Sequence, residues 1–202
     1  MIFIAAIARV ARLPIVAALL GLMLAGCGVN NIPTYEEAGK AKWSEVQNQY
    51  QRRADLIPNL VETVKGFAAQ ERTVLEAVTL ARARATQITV TPDMINDPEA
   101  LKKFQDAQQQ LSGALGRLLA VSERYPDLKS NQNFLALQSQ LEGTENRIAV
   151  ARRDYIIAVQ NYNTELRTFP GRLIASWLYP DLKVRETFAI SEQAQQVPQV
   201  KF

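Results

Sequence analysis

The sequence predicts an all-α protein: an antiparallel up-and-down four-helix bundle of three long helices and a short C-terminal helix, followed by an extended tail. Three observations support this class. Apolar residues recur at alternating steps of three and four along three long segments, which is the spacing of a buried helical seam. The 202 residues are rich in helix-forming Ala, Leu, Gln, Glu and Arg. No stretch shows strand-like alternation or a hairpin dipeptide such as Asn-Gly.

The first predicted helix begins at Thr34, the N-cap of a capping box that Glu37 completes. Pro58 lies inside its seam, where a proline costs ~3 kcal/mol and leaves the carbonyl of Ala54 without its helical donor. Because the seam keeps its phase across Pro58, we expect a kinked but continuous helix to residue 88, with a full break as the alternative. Twelve of the fourteen seam positions are apolar: Trp43, Val46, Tyr50, Arg53, Ile57, Leu60, Val64, Phe67, Glu71, Val74, Val78, Ala81, Ala85 and Ile88.

The second and third predicted helices are bounded by caps and prolines. Asp97, followed by proline, is the expected N-cap of the second helix, and Ser130 that of the third. Residues 125–127 and 169–171 end them, and a short helix is expected over residues 172–178. Their short connections require antiparallel neighbours. The second seam is Leu101, Phe104, Gln108, Leu111, Leu115, Leu118, Ser122 and Tyr125. The third seam is Phe134, Leu137, Leu141, Thr144, Ile148, Ala151, Tyr155, Ala158 and Tyr162.

Residues 1–26 predict a lipoprotein signal peptide. Arg9 and Arg12 supply positive charge, and residues 13–25 form an uncharged apolar run. As a helix this run spans only ~20 Å, short of the ~30 Å hydrocarbon core of a bilayer. Its length therefore favours a signal peptide over a membrane span.

The segment Leu24-Ala25-Gly26-Cys27 resembles the lipobox of bacterial lipoproteins. The resemblance implies cleavage before Cys27 and acylation of this cysteine, with residues 27–33 as an acylated tether. Two or three acyl chains would anchor the protein firmly to a membrane, facing away from the cytoplasm. Gly28 favours the outer membrane if two membranes are present. The alternative is a single-pass protein with an uncleaved N-terminal anchor.

The composition argues against several function classes. The chain has no histidine and one cysteine, so it lacks an imidazole base, a disulfide within the chain and a Cys-rich zinc site. The formal net charge is +3, and removing Arg9 and Arg12 leaves 21 Lys and Arg against 20 Asp and Glu. This balance does not favour nucleic-acid binding. We therefore expect a protein that is not an enzyme, holds no cofactor or metal, and binds no nucleic acid.

Polar residues that interrupt the seams, or cluster on the third helix, form a predicted polar network. In the structural interpretation, which we favour, the network is a set of ion pairs and hydrogen bonds that fixes the register of the helices. In the functional interpretation, the network is a site for an anionic ligand or for a charged group of a partner. The members are Arg53, Asp55, Asn59, Glu71, Glu145, Arg147, Arg152 and Asp154.

The tail, residues 181–202, is expected to be extended. Pro198, Val200 and Phe202 form a candidate partner-binding end, because a hydrophobic C-terminus can be captured by strand addition. The favoured alternative is that Val200 and Phe202 pack on the protein's own bundle.

Three segments carry a family resemblance. Residues 50–66, Tyr-Gln-Arg-Arg-Ala-Asp-Leu-Ile-Pro-Asn-Leu-Val-Glu-Thr-Val-Lys-Gly, closely resemble the signature of the LemA family. Residues 145–155, with Tyr162-Asn163 and Phe169-Pro170, are similar to its second block, although Ile156 stands where many relatives carry Asn. The end of the chain, residues 198–202, is similar to the usual family ending. The resemblance implies a four-helix bundle behind an N-terminal membrane anchor and supplies no catalytic residue.

Together these patterns predict a lipid-anchored scaffold or adaptor of the cell envelope, without catalytic activity. It would bind the membrane through acylated Cys27 and an envelope protein whose identity the sequence does not give. The alternative is an envelope enzyme or a receptor for a small anionic ligand. That site would use Arg53, Asp55, Asn59 and Arg147.

Overall fold

The computed structural model describes residues 28–88 and 91–188, and within these residues the protein is helical and has no strand. The predicted all-α class is therefore confirmed. The signal peptide, Cys27 and the terminal residues Pro198, Val200 and Phe202 lie outside the described residues. The helices are α1 (Asn31–Phe67), α2 (Arg72–Gln87), α3 (Pro98–Val121), α4 (Pro126–Lys129), α5 (Gln132–Arg167) and α6 (Gly171–Leu178). Short 3₁₀ turns, Pro92–Asn96 and Ser122–Arg124, flank α3.

Contacts along the helices show that α1 and α5 are antiparallel. α1 and α5 share the most extensive interface, and their paired residues run in opposite order: Asn31 with Glu165, Lys42 with Asp154, and Arg53 with Glu145. α2 folds back on the C-terminal half of α1 and packs against α3. The four long helices α1, α2, α3 and α5 are thus compatible with an up-and-down four-helix bundle, although its members differ from those predicted.

The prediction of a single helix to residue 88 is wrong. The chain does continue as a helix through Pro58, but α1 ends at Phe67 and α2 begins at Arg72. The heptad spacing gives no sign of this turn, because the apolar seam resumes in the same phase on the far side of it. One sequence signal lay there: Glu71, a polar residue in the seam, is the N-cap residue of α2, and its carbonyl accepts from the amides of Val74 and Leu75.

Two of the three predicted N-caps are also wrong. α1 begins three residues before Thr34, so residues 31–33 of the predicted tether are helical, and the Thr34 hydroxyl donates to the carbonyl of Asn30 at 2.7 Å. α5 is capped by Asn131, not Ser130, since the Asn131 side chain accepts from the amide of Phe134. Asp97 caps α3 as predicted and accepts from two backbone amides of the first turn.

The predicted seams are largely the buried faces of the helices. The main error is Phe67, which is 41% exposed while its neighbour Ala68 is buried. The buried residues form two cores. An aliphatic core runs through α1, α2, α3 and α5 on the side of the α1–α2 turn, and an aromatic core around Trp43, Phe104 and Tyr155 fills the other half of the bundle.

Pro58 is accommodated by a residue from the neighbouring helix. The Arg82 Nε of α2 donates to the carbonyl oxygen of Ala54 at 2.8 Å. This carbonyl is the one that loses its intrahelical donor when residue 58 is a proline. Arg82 therefore replaces the missing hydrogen bond and ties α2 to α1 at the same point.

We expect Arg82→Ala to lower the free energy of unfolding by about 1–2 kcal/mol, because a charged donor to a partly buried carbonyl is lost. The cost should shrink in a Pro58→Ala background, where residue 58 regains an N–H for Ala54. Urea denaturation of the two single variants and the double variant measures the coupling. Arg84→Ala, an exposed arginine on the same helix, is the matched control. Equal costs of Arg82→Ala in both backgrounds would show that the two features are independent.

Candidate functional site

The eight residues of the predicted polar network do not form one cluster. Arg53 is buried and pairs with Glu145, whose side chain is 42% exposed. Glu71 lies at the α1–α2 turn, and the other five lie on the surface or beside the aromatic core. The network is thus divided into separate structural contacts.

Arg53 is the centre of a polar layer that crosses the bundle. Its side chain is 1% exposed, and its Nη1 donates to Ser112 Oγ at 2.8 Å and to Glu145 Oε1 at 2.7 Å. Its Nη2 donates to the carbonyl oxygen of Gln108 at 3.3 Å and to the side-chain oxygen of the same residue. One guanidinium therefore joins α1 to α3 and to α5. We call Arg53, Gln108, Ser112 and Glu145 the polar layer.

The polar layer lies between the two cores. Along α1, Arg53 stands between Tyr50 of the aromatic core and Ile57 of the aliphatic core. Gln108 has the same place on α3, between Phe104 and Leu111. A buried arginine is stable only when the neighbouring helices place its partners within hydrogen-bonding distance. The polar layer therefore fixes the register of the helices. The Arg53 Nε is buried and has no partner among the described residues.

Glu71 forms a second, smaller cluster at the turn between α1 and α2. Its carboxylate accepts from the Tyr125 hydroxyl at 3.0 Å and pairs with Arg124 at 3.1 Å. The Tyr125 oxygen in turn accepts from Gln70 at 2.9 Å. These contacts join the α1–α2 turn to the segment that follows α3, so Glu71 also has a structural role.

The remaining predicted residues are mostly at the surface. Asp55 is exposed and accepts from Gln51 on its own helix, and Asn59 is exposed as well. Arg147 is exposed and donates to Gln49 and Thr144. The structure therefore does not bring Asp55 and Asn59 to Arg53.

Two residues of the predicted network on α5 contact other elements. Asp154 pairs with Lys42 of α1 at 3.2 Å. The Arg152 guanidinium lies over the Phe188 ring, 4.4 Å from its centroid, which is a cation–π contact. Both residues thus secure packing between elements.

The packing of residues 182–188, which we call the strap, against the bundle is the main structural feature that the sequence did not predict. This non-helical segment lies against α1, α5 and the turn Pro92–Asn96. Asn163 holds its backbone from both sides: Nδ2 donates to the carbonyl of Arg185, and Oδ1 accepts from the Arg185 amide, each at 2.9 Å. The hydroxyls of Tyr155 and Tyr162 donate to the carbonyls of Glu186 and Lys183.

Side chains of the strap are buried in the bundle. The Arg185 side chain is 4% exposed; its two Nη atoms donate to the carbonyl and the carboxylate of Glu36, and its guanidinium lies over the Tyr162 ring. Phe188 joins the aromatic core, with ring centroids 5.8 Å from Trp43 and 5.6 Å from Tyr155. Phe188 thus completes the wall of this core.

Sequence reasoning missed these residues for a physical reason. Arg185 and Phe188 lie in a segment without helical or strand periodicity, so nothing marked them as buried. Glu36 and Asn163 are ordinary polar helix residues in isolation. Gln108 could have been recognised as a buried polar residue, because it interrupts the apolar seam of α3 as Arg53 interrupts that of α1.

Burial raises the pKa of the Tyr155 and Tyr162 phenols, and the nearby Arg185 guanidinium opposes this rise. Both hydroxyls therefore stay protonated and donate to the strap. Because the folded pKa lies above the unfolded one, their contribution to stability is complete below about pH 10 and is lost at higher pH.

The cleft beside the polar layer holds no ionised side chain that could act in catalysis. This cleft of about 420 Å³ between α1, α2 and α3 is lined by amide, hydroxyl and apolar side chains, without a carboxylate, lysine or arginine. In the part of the chain that the structure covers, no three acidic, histidine or cysteine side chains are grouped to hold a metal. Within the same ranges, no helix combines the length and the apolar character needed to cross a bilayer.

Fold and contacts define the class of a helical-bundle protein whose buried polar groups join its helices. The chain belongs to the LemA family, whose sequence profile matches residues 42–202. It is 28% identical over 162 residues to the magnetosome protein MamQ 2 of Paramagnetospirillum magneticum, covering 72% of this chain and 60% of that protein.

Two further relatives match over similar shares. Magnetosome protein MamQ of Magnetospirillum gryphiswaldense is 26% identical over 160 residues, covering 71% of this chain and 58% of that protein. Protein LemA of Metamycoplasma hominis is 24% identical over 135 residues, covering 67% and 58%. The chain thus spans about 60% of the length of the curated relatives that it matches.

Proposed function

We propose that this protein is a lipid-anchored scaffold of the cell envelope, which presents a rigid helical bundle to an envelope protein and catalyses no reaction. The observation that carries the proposal is the use of the polar residues. The guanidinium of Arg53 is committed to side chains of α3 and α5, and that of Arg185 to Glu36. Groups used in this way hold helices together and are not free to act on a substrate.

Membrane attachment is supported by the N-terminal sequence. The uncharged run over residues 13–25 ends two residues before the lipobox-like cysteine, Cys27, and α1 begins four residues after this cysteine, at Asn31. The relatives are named for a cellular structure, the magnetosome, or for the family, and none is named for a reaction. Sorting to the outer membrane depends on Gly28 alone and stays a prediction.

The alternative, a receptor for a small anionic ligand, has one supporting observation. Arg53 Nε lacks a partner among the described residues, and Gln108, which binds Arg53, lines the 420 Å³ cleft. Against this alternative, Arg53 is nearly inaccessible to solvent, and Asp55 and Asn59 are exposed on the surface of α1. The geometry therefore favours the scaffold.

Cys27→Ser tests the anchor. We expect this variant to lose incorporation of radiolabelled palmitate and to move from the membrane pellet to the soluble fraction, because the thiol that takes the lipid is gone. Gly26→Ala, which keeps a small residue before the cysteine, is the matched control and should remain acylated. Retention and labelling of Cys27→Ser at the wild-type level would reject the lipoprotein.

The scaffold is tested in the same cells by cross-linking. Wild-type protein in native membranes should give a defined cross-linked product with an envelope protein, and the Cys27→Ser variant should give much less of it. A wild-type protein without any specific cross-linked product would contradict the scaffold, even if the anchor is confirmed.

A further inference from the structure

Helix α6 and the residue before its turn expose an unusual number of large apolar side chains. Phe169 is 81% exposed, Leu173 61% and Trp177 87%. Leu173 and Trp177 are four residues apart and therefore lie on one side of α6, and Phe169 lies two residues before this helix. We call these three side chains the α6 face. Soluble proteins do not ordinarily leave several large apolar side chains exposed together. Such a patch is typical of a binding surface.

Helix α6 lies beside the predicted lipid attachment point. A Cβ placed on Gly28 would be 3.6 Å from Ile174 Cδ1 and 3.8 Å from Pro170 Cγ, so Gly28 lies next to α6 and to the proline that precedes it. Cys27 immediately precedes Gly28 in the sequence. An acyl chain on Cys27 would therefore be attached one residue from a residue that lies next to α6.

The charges around α6 suit an anionic lipid surface. Residues 165–184 contain three cations and two anions, a net charge of +1. The exposed ones are Arg167, Arg172, Lys183 and Asp181, whereas Glu165 is partly buried and accepts a hydrogen bond from Asn31. Tryptophan is the side chain that most often settles at the level of the headgroups, and basic residues beside an apolar face attract anionic lipids.

We propose that α6 is an interfacial helix, which inserts the α6 face into the bilayer beside the acylated cysteine. It lies in the headgroup region rather than across the membrane, since eight residues span only about 12 Å. The contact sets the orientation of the bundle, because an anchor and a helix together fix two points on the surface. This inference rests on the proposed attachment through Cys27.

The two tryptophans allow a direct test. The acylated protein, purified from its membranes, is reconstituted into vesicles of phosphatidylcholine and phosphatidylglycerol with bromine on the acyl chains. Trp43 is 1% exposed in the aromatic core, whereas Trp177 is on the α6 face. We expect the brominated lipids to remove roughly a third to a half of the emission, since one tryptophan of two lies at the depth of the interface. Trp177→Phe, the matched control, should show almost no quenching.

A second variant keeps the test independent of one fluorophore. Leu173→Glu places a charge on the α6 face and should reduce the quenching of Trp177 at least twofold, because a carboxylate resists burial in the interface. Its thermal midpoint should equal that of the wild type, since Leu173 packs little against the bundle.

Flotation of the same vesicles separates the two claims. If the protein floats and Trp177 is quenched by acrylamide but not by brominated lipid, α6 does not insert, and this inference fails while the anchor stands. If Trp177 is shielded from both quenchers, a second copy or residues 189–202 cover the α6 face, and the inference fails as well. If the protein does not float, attachment through Cys27 fails and the inference fails with it.

Discussion

Arg53→Ala is expected to lower the free energy of unfolding by about 3–4 kcal/mol, which is among the largest costs that a single substitution in this bundle should produce. The guanidinium is buried and bonds to side chains of α3 and α5. Its removal leaves the buried Gln108 side chain without that donor and opens a cavity in the polar layer. Chemical denaturation followed by circular dichroism measures the loss.

Asp55→Ala is the matched control for Arg53→Ala. Asp55 lies two residues further along the same helix, is exposed, and bonds to Gln51 of that helix. Its substitution should change the free energy of unfolding by less than about 0.5 kcal/mol. If Arg53→Ala were as stable as Asp55→Ala, the polar layer would not hold the helices together, and a ligand site at Arg53 would regain support.

Phe188→Ala is expected to lower the free energy of unfolding by about 3 kcal/mol, because it deletes a buried ring from the aromatic core. The ring contacts Trp43 and Tyr155 and lies under the Arg152 guanidinium. For a domain of this size, the loss corresponds to a melting point lower by roughly 6–12 °C. Trp43 should also emit at longer wavelength as water reaches it, which is best measured in a Trp177→Phe background.

Thr187→Ala is the control for Phe188→Ala, because Thr187 is an exposed residue of the same strap. It should leave both the melting point and the Trp43 emission unchanged. If Phe188→Ala behaved like Thr187→Ala, the strap would be a loosely attached tail in solution and not a part of the core.

Most of the fold follows from the sequence because helix burial is periodic. The seam residues of α3 and α5 are buried almost without exception, and Asp97 caps α3 as its chemistry requires. The turn at residues 68–71 was not predictable in this way, since the seam resumes in phase after it. Continuation through Pro58 was predicted correctly, but the reason lies in Arg82, whose reach to Ala54 depends on the tertiary fold.

The candidate site was less predictable than the fold. Arg53 was visible because a charged residue in an apolar seam demands a partner, and Glu145 was in the predicted network. Ser112 and the carbonyl of Gln108 could not be identified, because which residue meets Arg53 depends on how α3 aligns with α1. Arg185 gave no signal at all, since exposed and buried arginines look alike in a segment without periodicity.

The strap also determines the order in which the two cores can finish folding during synthesis. The aliphatic core contains buried residues from Ile57 to Leu141, whereas the aromatic core needs Phe188, which is synthesised long after Trp43. A chain that emerges from the ribosome or from a translocation channel with its N-terminus first therefore finishes one half of its interior well before the other. Truncated products that lack residues 182–188 would carry aromatic rings of this core that Phe188 no longer covers.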